Sequence, residues 1–161
     1  MKFKVIAFTA MCIANVAVAE SKEEVFWFKS QWNVNGFATV HAARTGSRQY
    51  WEAMIATSKA GESNLYFNHS GGNGVLCTSD EGLPKTIKVS DRDIQVFAWC
   101  KEYSNKTKYI SFTAKNPKGK EYIKNAFRKS PDVVKIDFSG FGTVYFSAKG
   151  FTKSWEMNTA L

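Results

Sequence analysis

The fold class of this chain is decided by the stretch VVKIDFSGFGTVYFSA, which occupies residues 133–148. Val134, Ile136 and Phe138 alternate with polar residues, and the same alternation begins again at Val144. Because successive side chains of a β-strand point to opposite faces, this alternation predicts strands with one apolar face. The glycines between the two runs predict a turn. The stretch therefore predicts a β-hairpin that is buried on one side.

Short strand-like runs recur over the rest of the chain, separated by turns rich in glycine, serine and asparagine. In residues 94–101 both alternating faces are partly apolar, which predicts a central strand. Residues 50–57 fit a strand or a helix, and the alternation of Trp51, Ala53 and Ile55 favours a strand. The other predicted strands are residues 25–32, 37–44, 64–68, 74–78, 87–89 and 109–114.

One helix is predicted, over residues 117–129. Asn116 is a favourable N-cap, and Pro117 suits the first helical position, where no backbone donor is needed. Pro131 disfavours helical backbone at the residue before it and so predicts the helix end. Four residues form its apolar stripe, namely Tyr122, Ile123, Ala126 and Phe127. The predicted fold is mainly β: a single-domain antiparallel β-sandwich or partly open barrel with this one short helix.

The first 19 residues have the pattern of a targeting segment. Two lysines precede an apolar run over residues 5–18, which leads into the small-x-small tripeptide Ala-Val-Ala. This pattern predicts a secretory signal peptide that is cleaved after Ala19. A membrane anchor is the alternative, but the run is shorter than the roughly 20 residues of a spanning helix. The sequence therefore predicts one mature β-rich domain over residues 20–161, without a transmembrane segment, in the bacterial periplasm or secreted.

Signal removal would leave two cysteines, Cys77 and Cys100. In an oxidising compartment two cysteines most simply form a disulfide, and the closed loop would stabilise the fold by roughly 3–4 kcal/mol. A redox pair or a metal site is the alternative. Redox pairs usually show C-x-x-C spacing, and a zinc site needs more ligands. The sequence therefore predicts a structural disulfide.

Positive charge is concentrated in the C-terminal part of the chain. Residues 20–100 carry a net charge of −1, whereas residues 101–161 carry +7. Such a surface attracts nucleic acid, anionic lipid or an acidic protein, and the other interpretation is a solvated lysine face. Because export removes most nucleic-acid partners, the predicted partner is an unknown protein or an anionic surface. The candidate partner-binding residues lie on the predicted helix, where they are expected to face solvent with Glu121 as the one acidic neighbour: Lys118, Lys120, Lys124, Arg128 and Lys129.

A second candidate surface is the aromatic segment near the predicted mature N-terminus. Four large aromatic side chains fall within seven positions: Phe26, Trp27, Phe28 and Trp32. Such a cluster could form a platform for a sugar or a protein partner. Packing in the core is the other interpretation, and it is the one that the sequence favours.

The sequence predicts no catalytic residue, no cofactor and no metal site. His41 and His69 could act as an acid–base or metal-binding pair, but neither has a companion motif, so a structural or exposed role is favoured. Ser139 lacks the preceding glycine of G-x-S-x-G, which favours a hairpin turn. Residues 70–74 could cradle an anion, but they lack the Walker Lys-Ser/Thr and again favour a turn.

Five segments of the C-terminal part carry a resemblance to a known family: Phe97-Ala98-Trp99-Cys100, residues 109–114, residues 123–127, residues 134–138, and residues 144–152 with Gly150-Phe151. They are similar to the invasion-associated locus B family of exported bacterial proteins, in which residues 144–152 would match the closing strand. The family usually carries further cysteines. The resemblance implies an exported, β-rich, non-enzymatic protein, linked in some members to host-cell invasion.

The sequence thus predicts an exported bacterial binding or interaction protein without catalytic activity, associated with virulence or host interaction. A periplasmic inhibitor or immunity protein that neutralises an acidic partner is an alternative, because one half of the chain is basic. A small periplasmic hydrolase that uses His41 or His69 is the third candidate.

Overall fold

A computed structural model describes residues 25–28, 30–42, 49–71, 77 and 81–160, with the backbone alone at 25–28 and 40–42. Nine strands and two helices lie in these residues. The strands are β1 (Val25–Phe28), β2 (Phe37–Ala42), β3 (Tyr50–Thr57), β4 (Ser63–Ser70), β5 (Leu83–Val89), β6 (Arg92–Glu102), β7 (Lys108–Ala114), β8 (Val133–Phe138) and β9 (Gly142–Ser147). The helices are α1 (Pro117–Lys129) and α2 (Phe151–Thr159).

The strands form one closed barrel in the order β1-β2-β3-β4-β7-β6-β5-β8-β9. Neighbouring strands are antiparallel, except that β1 and β9 pair in parallel, with Val25 opposite Thr143 and Trp27 opposite Tyr145. The predicted mainly antiparallel β fold is confirmed. Of the two predicted architectures the sheet adopts the barrel, and the short β1 strand closes it.

Aromatic side chains fill the barrel interior. Five of them are at most 1% exposed: Trp51, Phe67, Phe112, Phe138 and Phe146. The ring of Trp51 lies 4.1 Å from that of Phe138, centroid to centroid, and the ring of Phe67 lies 5.3 Å from that of Phe146. Each of these residues occupies an inward position of its strand, as the alternation of the sequence requires. The interior is therefore a packed core.

The helix α1 has the predicted bounds. The Asn116 side chain caps it by accepting a hydrogen bond from the Gly119 backbone N–H at 2.9 Å. Ile123 and Phe127 are each 1% exposed and join the core, so part of the predicted apolar stripe packs as expected. Gly119 also lies close to β6, since a Cβ at this position would be 3.0 Å from the Ile94 side chain.

The prediction of a single helix is wrong, because residues 151–159 form a second helix, α2. The closing strand implied over residues 144–152 is therefore shorter. The strand β9 ends at Ser147, and Gly150 adopts a left-handed conformation with φ of +82° before the helix starts. A Cβ at Gly150 would lie 2.7 Å from the Trp32 carbonyl oxygen, so this turn requires glycine. Phe151 and Trp155 then bury one side of the helix, at the i, i+4 spacing of an amphipathic helix.

Several predicted strand bounds also change. The first strand ends at Phe28, well before residue 32, and the predicted five-residue strand over 64–68 extends over Ser63–Ser70. Of the predicted strand over residues 74–78, only Cys77 lies within the described residues, and it is not in a strand. The predicted signal segment lies outside the described residues.

Candidate functional site

Two of the five cations predicted to form the basic surface of α1 are ion-paired with carboxylates. The Lys120 ammonium lies 3.3 Å from a carboxylate oxygen of Glu62, and Lys124 forms an ion pair with Glu121. The Lys124 ammonium also lies 5.6 Å from the centre of the Trp155 ring. We expected all five charges to face solvent with Glu121 as the one acidic neighbour. This expectation is wrong, because the connection between β3 and β4 brings Glu62 next to the helix. The exposed cations of α1 are Lys118, Arg128 and Lys129.

Trp32 is buried and so does not contribute to an exposed aromatic platform. Its side chain is 6% exposed, and its indole N–H donates a hydrogen bond to the Ser147 carbonyl oxygen at 2.8 Å. Its ring makes edge contacts with Phe127 and Phe151 at centroid distances of 5.5 and 5.1 Å. For Trp32 the core interpretation is right, because this residue fills the space between the barrel and both helices. The side chains of Phe26, Trp27 and Phe28 lie outside the described part of the chain.

His69 lies inside the barrel. It is 6% exposed, its ring stacks on Trp51 at 4.4 Å, and Phe141 approaches its edge at 5.8 Å. Burial lowers the pKa of His69 to about 4, so the imidazole is neutral at pH 7. His41 is described by its backbone in β2, at the position that pairs with Tyr50. The structural role that the sequence favours for His69 agrees with these contacts.

The predicted disulfide is confirmed. Cys77 and Cys100 are bonded, and their Cα atoms lie 5.3 Å apart. The bond ties the connection between β4 and β5 to the end of β6. Disulfides persist mainly in oxidising compartments, which agrees with a protein that functions outside the cytoplasm.

A small cleft of about 400 Å³ lies where β5 extends past the end of β8. Its charged lining has both signs, with Lys85 and Lys88 beside Asp93 and Asp137, and it includes Ser139. Pro84 of β5, which lies opposite Phe97 of β6, is next to this lining and has no backbone donor.

The outer face of β3, β4, β7 and β6 holds a set of residues that the sequence did not single out. Its middle row runs from Glu52 to Asn68, then to Ser111 and Trp99, each residue opposite the next across neighbouring strands. The row on one side contains Met54, Tyr66, Thr113 and Phe97, and the row on the other side contains Tyr50, Ser70, Tyr109 and Lys101. The two central strands thus carry four small polar residues together with Tyr66 and Tyr109, and long or aromatic residues lie on the strands at either side.

We call this surface the trough. Its floor lies on β4 and β7 and is less than 10% exposed: Asn68 3%, Ser70 0%, Ser111 6% and Thr113 7%. Its walls lie on β3 and β6, with most of their side chains half-buried: Tyr50, Glu52, Met54, Phe97, Trp99 and Lys101. Outward-facing polar residues of a sheet normally meet water. Here they are buried, and Asn68 is in contact with the wall residues Glu52 and Met54.

The side chain of Asn68, on the floor, has one polar atom with hydrogen-bond partners and one without. Its amide nitrogen lies 3.2 Å from a Glu52 carboxylate oxygen and 3.2 Å from the Met54 sulfur. Its carbonyl oxygen, Oδ1, is buried and has no hydrogen-bond partner in the structure. A buried acceptor without a partner costs roughly 1–3 kcal/mol. Thr113, by contrast, is satisfied, because its hydroxyl donates to the Leu65 carbonyl oxygen at 2.8 Å.

Three tyrosines close one end of the trough. The Tyr50 hydroxyl donates to the Tyr103 hydroxyl at 3.1 Å, and the Tyr103 ring stacks on Tyr109 at 4.2 Å. Burial raises the pKa of Tyr103 above its usual value, as do its hydrogen bond with Tyr50 and the charge of Glu52. Burial, followed by the charge of Glu52, also raises the pKa of Tyr109. The phenols of Tyr103 and Tyr109 therefore stay protonated at neutral pH, as hydrogen-bond donors.

The wall on β6 is packed against neighbouring side chains. Trp99 lies 5.5 Å from Phe97, ring to ring, and the Lys115 ammonium lies 5.5 Å from the centre of the Phe97 ring. Gly82 packs directly on the indole, since a Cβ at this position would be 2.6 Å from the Trp99 ring nitrogen. Side chains that already pack against neighbours lose less conformational entropy when a ligand binds against them.

The chain matches no protein-family model, no curated protein and no solved structure. The resemblance to the invasion-associated locus B family therefore stays a prediction. Within the described residues, neither helix is long and apolar enough to cross a membrane. In the same part of the chain, no three His, Cys, Asp or Glu side chains are close enough to hold one metal ion.

Proposed function

We propose that the protein is an exported, non-catalytic binding protein and that the trough is its ligand-binding surface. The observation that carries this proposal is the buried Asn68 carbonyl oxygen, which has no partner and lies on the outward face of the sheet. Polar groups in a folded chain are normally satisfied, and an unsatisfied one calls for an explanation. A ligand that donates a hydrogen bond to Asn68 supplies that explanation.

The electrostatics of the trough support binding over catalysis. An acid–base or nucleophilic group works best with a pKa near the working pH. The pKa values of Tyr103 and Tyr109 are instead raised away from neutrality, and His69 packs in the barrel interior. These groups are suited to donate hydrogen bonds or to pack, which is what a recognition surface requires.

The test uses the purified protein and fractions of the bacterial envelope that are separated into glycan, lipid and protein. Amide and indole signals in nuclear magnetic resonance spectra report where each fraction binds. We expect shifts at Asn68, Ser111 and the Trp99 indole, with the exposed helix residue Lys118 as the internal reference. Shifts confined to α1 would contradict the proposal.

The inhibitor or immunity function remains the second candidate because Lys118, Arg128 and Lys129 are exposed on one helix. An acidic partner would be attracted to them at long range. Such binding would weaken strongly as salt is added, whereas binding in the trough would depend little on salt. We also propose an association with host-cell invasion, and its one support is the resemblance to the invasion-associated locus B family.

A further inference from the structure

We infer that the ligand of the trough is a neutral glycan, an inference that rests on the proposed function. A sugar ring combines an apolar face of C–H groups with a rim of hydroxyls. The trough offers the complementary surface, because half-buried aromatic rings stand around a polar floor. Binding sites of this composition use the rings for contact area and the few polar groups for orientation.

The polar groups of the trough match hydroxyls in particular. The Asn68 carbonyl oxygen and the Glu52 carboxylate accept hydrogen bonds, the Tyr103 phenol donates, and the Ser111 hydroxyl does both. A sugar carries several neighbouring hydroxyl groups, each of which can donate to one of these acceptors and accept from a donor such as the Tyr103 phenol. Because a protonated phenol is retained at neutral pH, this pattern persists under physiological conditions.

The net charge of the trough indicates that the glycan is neutral. Glu52 on one wall and Lys101 on the other are its two charged residues, and they have opposite signs. An anionic ligand would be repelled by Glu52 on the wall and attracted instead to the exposed cations of α1.

The sheet pairing argues against an extended peptide. Strands β3, β4, β7 and β6 each pair with a neighbour on both sides. A peptide that binds by strand addition needs a free edge with unpaired backbone groups. The trough presents side chains only, so its ligand is recognised by ring contacts and hydroxyl hydrogen bonds.

The length of the trough fits an oligosaccharide. The two flanking rows are four residues apart along each strand, which corresponds to about 14 Å at the usual rise of a strand. Tyr66 lies in one of these rows and Tyr109 in the other, on either side of the small floor residues Asn68 and Ser111. The sugars at the two ends of a short chain can therefore each contact a tyrosine while the middle of the chain crosses the floor.

The test measures calorimetric binding of neutral tetrasaccharides, namely cellotetraose, chitotetraose, maltotetraose and mannotetraose, at millimolar concentration. Tetragalacturonic acid serves as the anionic arm. Spectra of the labelled protein locate each ligand. We expect at least one neutral tetrasaccharide to shift the signals of Asn68 and Trp99 and to bind more tightly than the anionic one.

Asn68→Val removes both polar atoms while keeping a good strand residue, and it should weaken binding about tenfold, the effect of one well-placed hydrogen-bonding group. Tyr103→Phe keeps the ring and loses the donor, and it should weaken binding less. Lys118→Ala on α1 is the matched control and should bind like the wild type. Unfolding curves confirm that each variant is folded.

The outcomes separate the inference from the proposed function. If none of the neutral tetrasaccharides binds but an envelope protein or lipid fraction shifts the trough signals, the glycan inference is overturned and the binding surface stands. Tighter binding of tetragalacturonic acid would also overturn the inference. If no ligand or fraction shifts the trough, both fall.

Discussion

On the neighbouring strands β3, β4, β7 and β6, the inner and the outer faces of the sheet bury very different residues. The inner positions of the central pair hold Phe67 and Phe112, whose rings fill the barrel. The outer positions next to them hold Asn68 and Ser111, which are almost as buried but polar. The inner face thus stabilises the fold, whereas the outer face carries a cost in stability that a binding role explains.

The largest effect is expected on the inner face. Phe67→Ala should lower the free energy of unfolding by about 3–5 kcal/mol, because it opens a cavity among fully buried rings. Urea denaturation measures this loss. Tyr66→Ala changes the next residue, which is half-buried on the outer face, and should cost clearly less. Equal losses at the two positions would remove the distinction between the faces.

The disulfide should have the next largest effect. Cys100→Ser should lower the free energy of unfolding by about 2–5 kcal/mol, because the unfolded chain regains the freedom that the loop had removed. Reducing the wild type with dithiothreitol should cause a similar loss, which separates the bond from the packing of the Cys100 side chain. An unchanged urea midpoint in both samples would contradict a structural role for the bond.

His69 makes the inner face sensitive to acid. Its pKa is about 4 in the folded protein and about 6.5 in the unfolded chain, so the unfolded state binds protons first as the pH falls. The stabilisation is complete above pH 6.5 and should be lost between pH 6.5 and pH 4, by about 3 kcal/mol. Urea denaturation at several pH values across this range measures the loss in the free energy of unfolding. His69→Phe should remove this part of the pH dependence, and a variant with an unchanged acid profile would show that other groups cause it.

The exposed helix cations should have the smallest effect on stability. Reversing Lys118 and Arg128 to Glu should change the free energy of unfolding by less than about 0.5 kcal/mol, because both side chains are exposed. The same change should slow association with anionic vesicles at low salt, and physiological salt should diminish the difference. Reversing Lys106 and Lys108 to Glu, at the turn between β6 and β7, gives the same change in net charge and is the control. If both variants slow association equally, the effect belongs to the whole charge of the protein and not to α1.

Local signals were enough to predict three features: periodicity predicted the mainly β fold, capping and proline residues predicted the bounds of α1, and the two cysteines of an exported chain predicted the disulfide. Local capping and proline signals fix α1 at Asn116 and Pro131. The helix α2 was missed because Phe151 followed a strand pattern, although Phe151 and Trp155 have helical spacing. The left-handed turn at Gly150 that separates the two elements depends on contact with Trp32, which is distant in sequence.

The trough could not be predicted because it depends on which strands are neighbours. Alternation places Asn68 and Ser111 on the face opposite Phe67 and Phe112, respectively. Only the pairing of β4 with β7, which are not consecutive, brings the two floor residues together. The ion pair of Lys120 with Glu62 was missed for the same reason.

The central claim is that the outer face keeps an unsatisfied polar group at the expense of stability. Its most direct test is the free energy of unfolding of Asn68→Val, measured by urea denaturation beside Thr113→Val. Asn68→Val should leave the free energy of unfolding about unchanged, because the removal of a buried acceptor without a partner offsets the loss of the hydrogen bond from the Asn68 amide to Glu52. Thr113→Val should be less stable by about 1 kcal/mol, because it breaks a buried hydrogen bond. If Asn68→Val loses as much stability as Thr113→Val, Asn68 is an ordinary structural residue and the account is contradicted.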